Sequence, residues 1–237
     1  MSPPSAYTVK HLPALLRRAK KIGDILDSLY PDPKSFLRYR SPFELLVCVA
    51  LSAQTTDVSV NAVTPALFAL APDARALAAL TPEEVFAVIR TLGLARTKSR
   101  NLVSMARLLV ERHGGEVPRS FEALEALPGV GHKTASVVRI QAFDLPAFPV
   151  DTHIHRLAER WGLSTGKTVE VTEADLKLCF PDETTWARRH VQIIAFGREH
   201  CPARGHDPRT CPICSWVKKE QEEQEEVEET SGEDDEE

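Results

Sequence analysis

Residues 127–138 read Leu-Pro-Gly-Val-Gly-His-Lys-Thr-Ala-Ser-Val-Val, and residues 148–155 read Phe-Pro-Val-Asp-Thr-His-Ile-His. Gly129 and Gly131 predict a tight turn in which backbone N–H groups can approach a phosphate, because no Cβ is in the way. Apolar residues at helical spacing follow at once, so the N-terminal dipole of a helix favours an anion at the same point. Lys133 falls in the first turn of that helix, and Asp151 ends a short proline-containing connection that could face it. This stretch indicates an enzyme acting on DNA, with Lys133 as nucleophile.

Each of these residues also has a simpler interpretation. Gly-x-Gly turns between helices hold phosphate backbones in proteins that only bind DNA, and a lysine beside a phosphate is usually a counter-charge. Asp151 fits an N-cap for the helix that follows it. Burial of Lys133 at a helix N-terminus would lower its pKa, because desolvation and the dipole both disfavour the ammonium form. Catalysis and non-catalytic DNA binding therefore both stay open.

Length and composition allow one large domain or two small ones. The chain has 237 residues, and 43% of them are hydrophobic, which is enough to bury a core. Its formal charge of −5 averages two unlike parts, because residues 220–237 contain 12 acidic and no basic residues. Residues 1–219 therefore hold 29 basic and 22 acidic residues, about +7 in all, which favours a polyanionic partner.

The acidic segment 220–237 has the composition of a disordered tail, which either solubilises the protein or competes with DNA for its basic part. The N-terminus lacks the apolar stretch of a signal peptide, and the strongest apolar run, residues 45–51, is too short to cross a bilayer. An odd number of cysteines argues against a disulfide scaffold, and Cys48 and Cys179 have apolar neighbours typical of a core. We expect a cytoplasmic, nucleoid-associated monomer.

Helical spacing of apolar residues runs along nearly the whole chain, and the only hint of a strand is near Phe148. Ser41-Pro42, Thr81-Pro82 and Ser120 each offer an N-cap residue at a predicted helix start. The sequence therefore predicts an all-α protein with ten helices, at about 11–29, 42–53, 57–70, 82–91, 98–113, 120–126, 131–143, 152–161, 169–178 and 183–198.

Three segments in this order resemble the helix-hairpin-helix DNA glycosylase superfamily, and within it the endonuclease III family. They are the hairpin segment 127–135, the Val-Asp-Thr-His run at 150–153 and the Leu-Ser-Ala-Gln-Thr-Thr-Asp run at 51–57. The resemblance covers nearly all of residues 20–215. It implies a two-domain fold with a central DNA-binding cleft, in which residues 35–145 form a six-helix domain. The N-terminal arm and helix, 1–34, would join a C-terminal helical domain, 146–219.

The resemblance also implies roles for individual residues. Lys133 would attack C1′ of the damaged nucleotide to form a Schiff base, after which β-elimination cuts the strand on the 3′ side. Asp151 would be the essential carboxylate, and the substrate would be an oxidised pyrimidine in double-stranded DNA. Because a stacked base must be extruded before it can react, Gln54 would fill the resulting gap and Leu94 would wedge between bases. Gly129 and Gly131 would contact the DNA backbone.

The C-terminal cysteines depart from the family pattern, which is Cys-x6-Cys-x2-Cys-x5-Cys around a [4Fe–4S] cluster. Cys201, Cys211 and Cys214 are present, but the first spacing is three residues longer and position 220 is Glu. We expect the cluster with a non-cysteine fourth ligand, which is His200, His206, Asp207 or another group. A Cys3His zinc site that uses His206, or no metal, are the alternatives. Any metal here would be structural and would not perform the hydrolytic chemistry.

Overall fold

A computed structural model describes residues 12–220, and the predictions for the first 11 residues and for the acidic tail beyond Glu220 lie outside that range. The described residues contain helices and no strand. No helix among them combines the length and the apolar character needed to span a membrane. The helices are α1 (Leu12–Leu29), α2 (Pro42–Ser52), α3 (Asp57–Leu70), α4 (Ala74–Ala79), α5 (Pro82–Ile89), α6 (Ala95–His113), α7 (Phe121–Glu125), α8 (His132–Ala142), α9 (Thr152–Arg160), α10 (Val169–Cys179) and α11 (Trp186–Glu199).

The all-α prediction is confirmed, and each predicted helix has a counterpart. Helix α4 was not predicted, because its six residues after the N-cap Asp73 are too few to show a helical period. The helical segment 214–220, which begins at the last cysteine, was not predicted either. The segment around Phe148 has no regular secondary structure, and its phenylalanine is fully buried.

The predicted helix starts are confirmed by their hydrogen bonds. The hydroxyls of Ser41 and Ser120 each accept from the backbone N–H three residues later. Thr81 and Glu84 form a reciprocal capping box, which satisfies two backbone donors at the start of α5. Gly114 ends α6 in the left-handed conformation, with φ of 63°.

The chain divides into two compact units. One of them, Lys34–Pro149, contains seven helices, where six were expected, because α4 is added. Helix α2 lies inside this unit and packs against α3, α6 and α8. Its residues are buried nearly all round, in keeping with the apolar run that the sequence shows at 45–51.

The other unit joins the residues up to Pro33 to those from Val150 onward. Trp161 and Phe196 are fully buried in it and meet edge to face, with ring centroids 5.5 Å apart. Helices α1 and α11 are joined by Arg189, which donates 2.9 and 2.8 Å hydrogen bonds to the two carboxylate oxygens of Asp27. This bidentate ion pair connects residues that lie 162 positions apart in the sequence.

Candidate active site and metal centre

The turn between α7 and α8 has the geometry that its two glycines predict. Gly129 has φ of +81°, a conformation that favours glycine, and a Cβ built on it would lie in tight contact, 3.0 Å from Nδ2 of Asn101. Gly131 is the N-cap of α8 and provides no side-chain cap, and a Cβ there would meet nothing within 4 Å. The start of α8 is thus open to an approaching anion.

Lys133 lies in the first turn of α8, as predicted, and is half-buried. Beyond it α8 buries residues such as Val137 and Val138, which fix the helix within its unit. His132 beside it stacks on Phe121 with ring centroids 5.0 Å apart. It also meets a carboxylate oxygen of Glu125 at 2.7 Å, so α7 and α8 are joined at the turn. The backbone that carries Lys133 is therefore well supported.

Asp151 belongs to the other unit and caps α9. Its Oδ1 atom accepts hydrogen bonds of 2.9 Å from the backbone N–H groups of His153 and Ile154. Asp151 is therefore an N-cap, as the simpler interpretation of this residue predicts. Since both capping bonds end on Oδ1, capping leaves Oδ2 uncommitted, and a chemical role remains compatible with the cap.

Gln54 and Leu94, the two residues expected to enter the DNA stack, both have left-handed backbone conformations. Their φ angles are 53° and 59°, and among the described residues only Asp144 shares this property outside glycine. Such a conformation costs a residue with a Cβ roughly 1–2 kcal/mol. Leu94 is also 57% exposed, a second cost for a leucine. Strain and exposure at the same positions are typical of functional loops.

The two loops that carry these residues lie side by side. A Cβ built on Gly93 would lie 3.6 Å from the backbone oxygen of Gln54. Lys98, a buried lysine that is not among the predicted site residues, donates a 2.5 Å hydrogen bond from its ammonium to the hydroxyl of Thr55. Burial lowers the pKa of Lys98. No local sequence signal indicates this contact, because it joins residues 43 positions apart.

The three predicted cysteine ligands come together with His206. One ligand atom from each of Cys201, His206, Cys211 and Cys214 lies within 4.8 Å of the other three. The three cysteines are buried, and the Sγ atoms of Cys201 and Cys214 are 3.9 Å apart. These residues can hold a metal centre.

Comparison with known proteins agrees with this geometry. Residues 47–181 match the family described as HhH-GPD superfamily base excision DNA repair protein. Endonuclease III of Treponema pallidum is 44% identical over 199 residues, which cover 83% of this chain and 93% of the relative. Endonuclease III of Escherichia coli K12 is 42% identical over 210 residues, which cover 86% of this chain and 99% of the relative.

Solved structures give the same result. A non-covalent endonuclease III–DNA complex matches with a TM-score of 0.81 and 38% identity, over 87% of this chain and 98% of that one. A trapped endonuclease III–DNA covalent intermediate matches with a TM-score of 0.79 and 39% identity, over 84% and 93%. The fold is that of the helix-hairpin-helix DNA glycosylases. The chain belongs to the HhH-GPD superfamily, in its endonuclease III family.

Proposed function

We propose that this chain is a bifunctional DNA glycosylase and abasic-site lyase of base excision repair. Its substrate is double-stranded DNA that contains an oxidised pyrimidine or an abasic site. The observation that carries the proposal is the place of Lys133, half-buried in the first turn of the helix that follows the Gly129–Gly131 turn. The similar protein trapped as a covalent intermediate with DNA supports a covalent step over DNA binding alone.

Lys133 is the nucleophile. Its neutral amine attacks C1′ of the damaged nucleotide, the C1′–N bond breaks, and the base leaves with a proton. The sugar ring opens to a Schiff base between C1′ and Nζ. Loss of a proton from C2′ then expels the 3′ phosphate, which cuts the strand. The open start of α8 beside Lys133 binds a backbone phosphate and so positions the sugar.

Asp151 is the carboxylate of the reaction. Its negative charge stabilises the positive charge that develops on the sugar as the base leaves, and it assists the proton transfers. The two backbone bonds to Oδ1 fix the orientation of the carboxylate. A single residue can therefore begin α9 and present its other oxygen to the substrate.

Gln54 and Leu94 act on the duplex. The exposed side chain of Leu94 enters the stack as an apolar wedge, and Gln54 fills the space that the extruded base leaves. Their adjacent loops allow both side chains to act on one lesion.

The cysteine cluster holds a structural metal centre that takes no part in the chemistry of Lys133. A [4Fe–4S] cluster is the group that the family implies, and a single zinc ion is the alternative that the ligand set allows.

The test is to trap the imine with borohydride on DNA that contains an abasic site. Wild-type protein should become covalently linked to DNA, whereas Lys133→Gln should bind damaged DNA but form no adduct and cut no strand. Lys133→Arg is the matched control, because it keeps the positive charge but is not nucleophilic at neutral pH. If Lys133→Arg still forms the borohydride adduct or cuts the strand normally, Lys133 is only a counter-charge. Non-catalytic DNA binding would then be the better assignment.

A further inference from the structure

The sequence around the metal centre differs from the family pattern in two places, a longer loop after Cys201 and Glu220 in place of the fourth cysteine. The structure shows a separate contact for Glu220. Glu220 accepts a 2.9 Å hydrogen bond from Nε of Arg18, a buried arginine of α1. It is not among the four residues whose ligand atoms lie together. The position that would carry the fourth cysteine is therefore committed to an ion pair.

The longer loop provides a replacement. Of the three named candidates for the fourth ligand, only His206, which lies in this loop, has a ligand atom in the cluster. Its Nε2 atom is buried and has no hydrogen-bond partner, which is costly for a polar nitrogen and is typical of a metal ligand. The carboxylate of Asp207 instead accepts from Nε and Nη2 of Arg209 at 3.1 and 3.0 Å. His200 lies beside the carboxylate of Glu199, 3.9 Å away, and outside the cluster.

The spacing of the ligand atoms tests which metal fits. In a [4Fe–4S] cluster each protein ligand binds a different iron, so the ligand atoms must surround the whole cubane and stand well apart. Around one tetrahedral zinc ion, sulfurs at bonding distance lie about 3.8 Å from each other. The Sγ atoms of Cys201 and Cys214 are 3.9 Å apart, and all four ligand atoms lie within 4.8 Å. The arrangement fits a single ion and is too compact for a cubane.

The surroundings suit a thiolate-rich site. Nη1 of Arg160 donates to Sγ of Cys201 at 3.3 Å and to the backbone oxygen of Pro202 at 2.9 Å. The backbone N–H of Cys214 donates to Sγ of Cys211 at 3.5 Å. Three thiolates and one neutral imidazole leave a net charge of −1 around Zn²⁺, which the Arg160 guanidinium offsets.

We infer that this chain holds one structural Zn²⁺ ion in a closed Cys3His site, with His206 replacing the fourth cysteine of the family. The longer loop after Cys201 and the Arg18–Glu220 ion pair are the two changes that accompany the exchange. The inference is independent of the catalytic assignment, because metal content and imine trapping are measured separately.

The test uses the full chain, expressed with both iron and zinc in the medium and purified anaerobically without a histidine tag. We expect one zinc ion per chain, no acid-labile sulfide and colourless protein. Replacement of zinc by Co²⁺ should give the intense visible bands of a tetrahedral site with sulfur-to-metal charge transfer. Iron with labile sulfide, the absence of any metal in folded protein, or an octahedral Co²⁺ spectrum would each overturn the inference.

Variants test the ligand itself. His206→Ala should weaken zinc affinity by more than about 100-fold, since the loss of a ligand must exceed the 10–100-fold effect of losing a supporting group. His206→Cys should keep zinc and shift the Co²⁺ spectrum to that of four thiolates, which makes the test independent of any folding defect in His206→Ala. His200→Ala is the matched control and should bind zinc like the wild type. Equal zinc affinity in His206→Ala and wild type, or an unchanged Co²⁺ spectrum in His206→Cys, would exclude His206 as a ligand.

Discussion

The ammonium group of Lys98 donates a 2.5 Å hydrogen bond to the hydroxyl of Thr55. Thr55 directly follows Gln54, and Lys98 lies in the first turn of α6, whose N-cap is Leu94. One buried side chain thus joins the two loops whose left-handed residues are proposed to enter DNA. We interpret Lys98 as a positioning residue for both of them.

Lys98→Met should therefore lower excision of a damaged base by about 10-fold, the effect of losing one hydrogen bond of about 1.4 kcal/mol. Cleavage of a preformed abasic site should change less, because less stacking must be disrupted there. Single-turnover rates on the two substrates measure the difference. Equal losses on both would mean that Lys98 supports the fold in general and not these loops.

The lowered pKa of Lys98 also predicts a pH dependence. Between that lowered pKa and 10.5, the unfolded chain holds the Lys98 proton more tightly than the folded protein does. The free energy of unfolding of wild type, relative to Lys98→Met, should therefore rise as the pH increases through this window. Denaturant unfolding at a series of alkaline pH values measures it, with Lys20→Met as control because the Lys20 side chain is 78% exposed. If the difference in unfolding free energy between wild type and Lys98→Met does not change with pH, the interpretation of Lys98 as a buried ammonium is wrong.

Asp151 can be separated into its two roles by a pair of variants. Asp151→Asn keeps a good N-cap for α9, so stability should change little, while turnover should fall by about 10²–10⁴-fold because the negative charge is gone. Asp151→Ala should lose turnover and also about 1 kcal/mol of stability. Thermal unfolding and single-turnover cleavage together distinguish the two. If the Asp151→Asn protein is active, the only role of Asp151 is to cap α9.

Leu94 allows a test in which two variants differ in stability but share the same loss of function. Leu94→Gly relieves the left-handed strain that Leu94→Ala keeps, so it should be about 1 kcal/mol more stable than Leu94→Ala. Both variants lack the side chain that we propose as the apolar wedge, and both should lose damaged-base excision more than abasic-site cleavage. Unfolding midpoints and the two rates give the comparison. Normal excision by either variant would show that the wedge is dispensable.

Asp27 should make one unit of the protein sensitive to acid. Burial raises the pKa of this carboxyl, but hydrogen bonds from Arg189 and Gln192, together with the positive charges of Arg189 and Arg188, outweigh burial and hold the pKa below 3.8. Asp27→Asn should cost about 2 kcal/mol at neutral pH, because charged hydrogen bonds to a buried arginine are lost. The difference in unfolding free energy between wild type and Asp27→Asn should be constant above pH 3.8. It should shrink below pH 3.8 and vanish as the pH falls through the lowered pKa of Asp27.

The control for Asp27 is Asp24→Asn, one turn earlier in α1, where the carboxylate pairs with an exposed lysine. That change should cost less than about 0.5 kcal/mol at any pH. Urea unfolding from pH 6 to pH 2.5 measures both variants. If the difference in unfolding free energy between wild type and Asp27→Asn is still unchanged at the lowest pH, then packing, and not the ion pair, joins α1 to α11.

Local signals were sufficient for most of the helices. Ser41, Thr81 and Ser120 each satisfy backbone donors within three residues of themselves, so the sequence alone locates those helix starts. The Gly129–Gly131 turn and the position of Lys133 after it were predictable for the same reason. The short helix α4 was not, since six residues with an alanine-rich sequence carry no clear period.

The sequence by itself determined an all-helical chain with a lysine at the start of a glycine-turn helix and three cysteines near its end. Only the tertiary structure decided which distant side chains meet. It paired Lys98 with Thr55 and Arg18 with Glu220. It also gave Gln54 and Leu94 their left-handed backbones. These features depend on contacts between residues far apart in the chain, and such contacts leave no periodic or capping signal in the sequence.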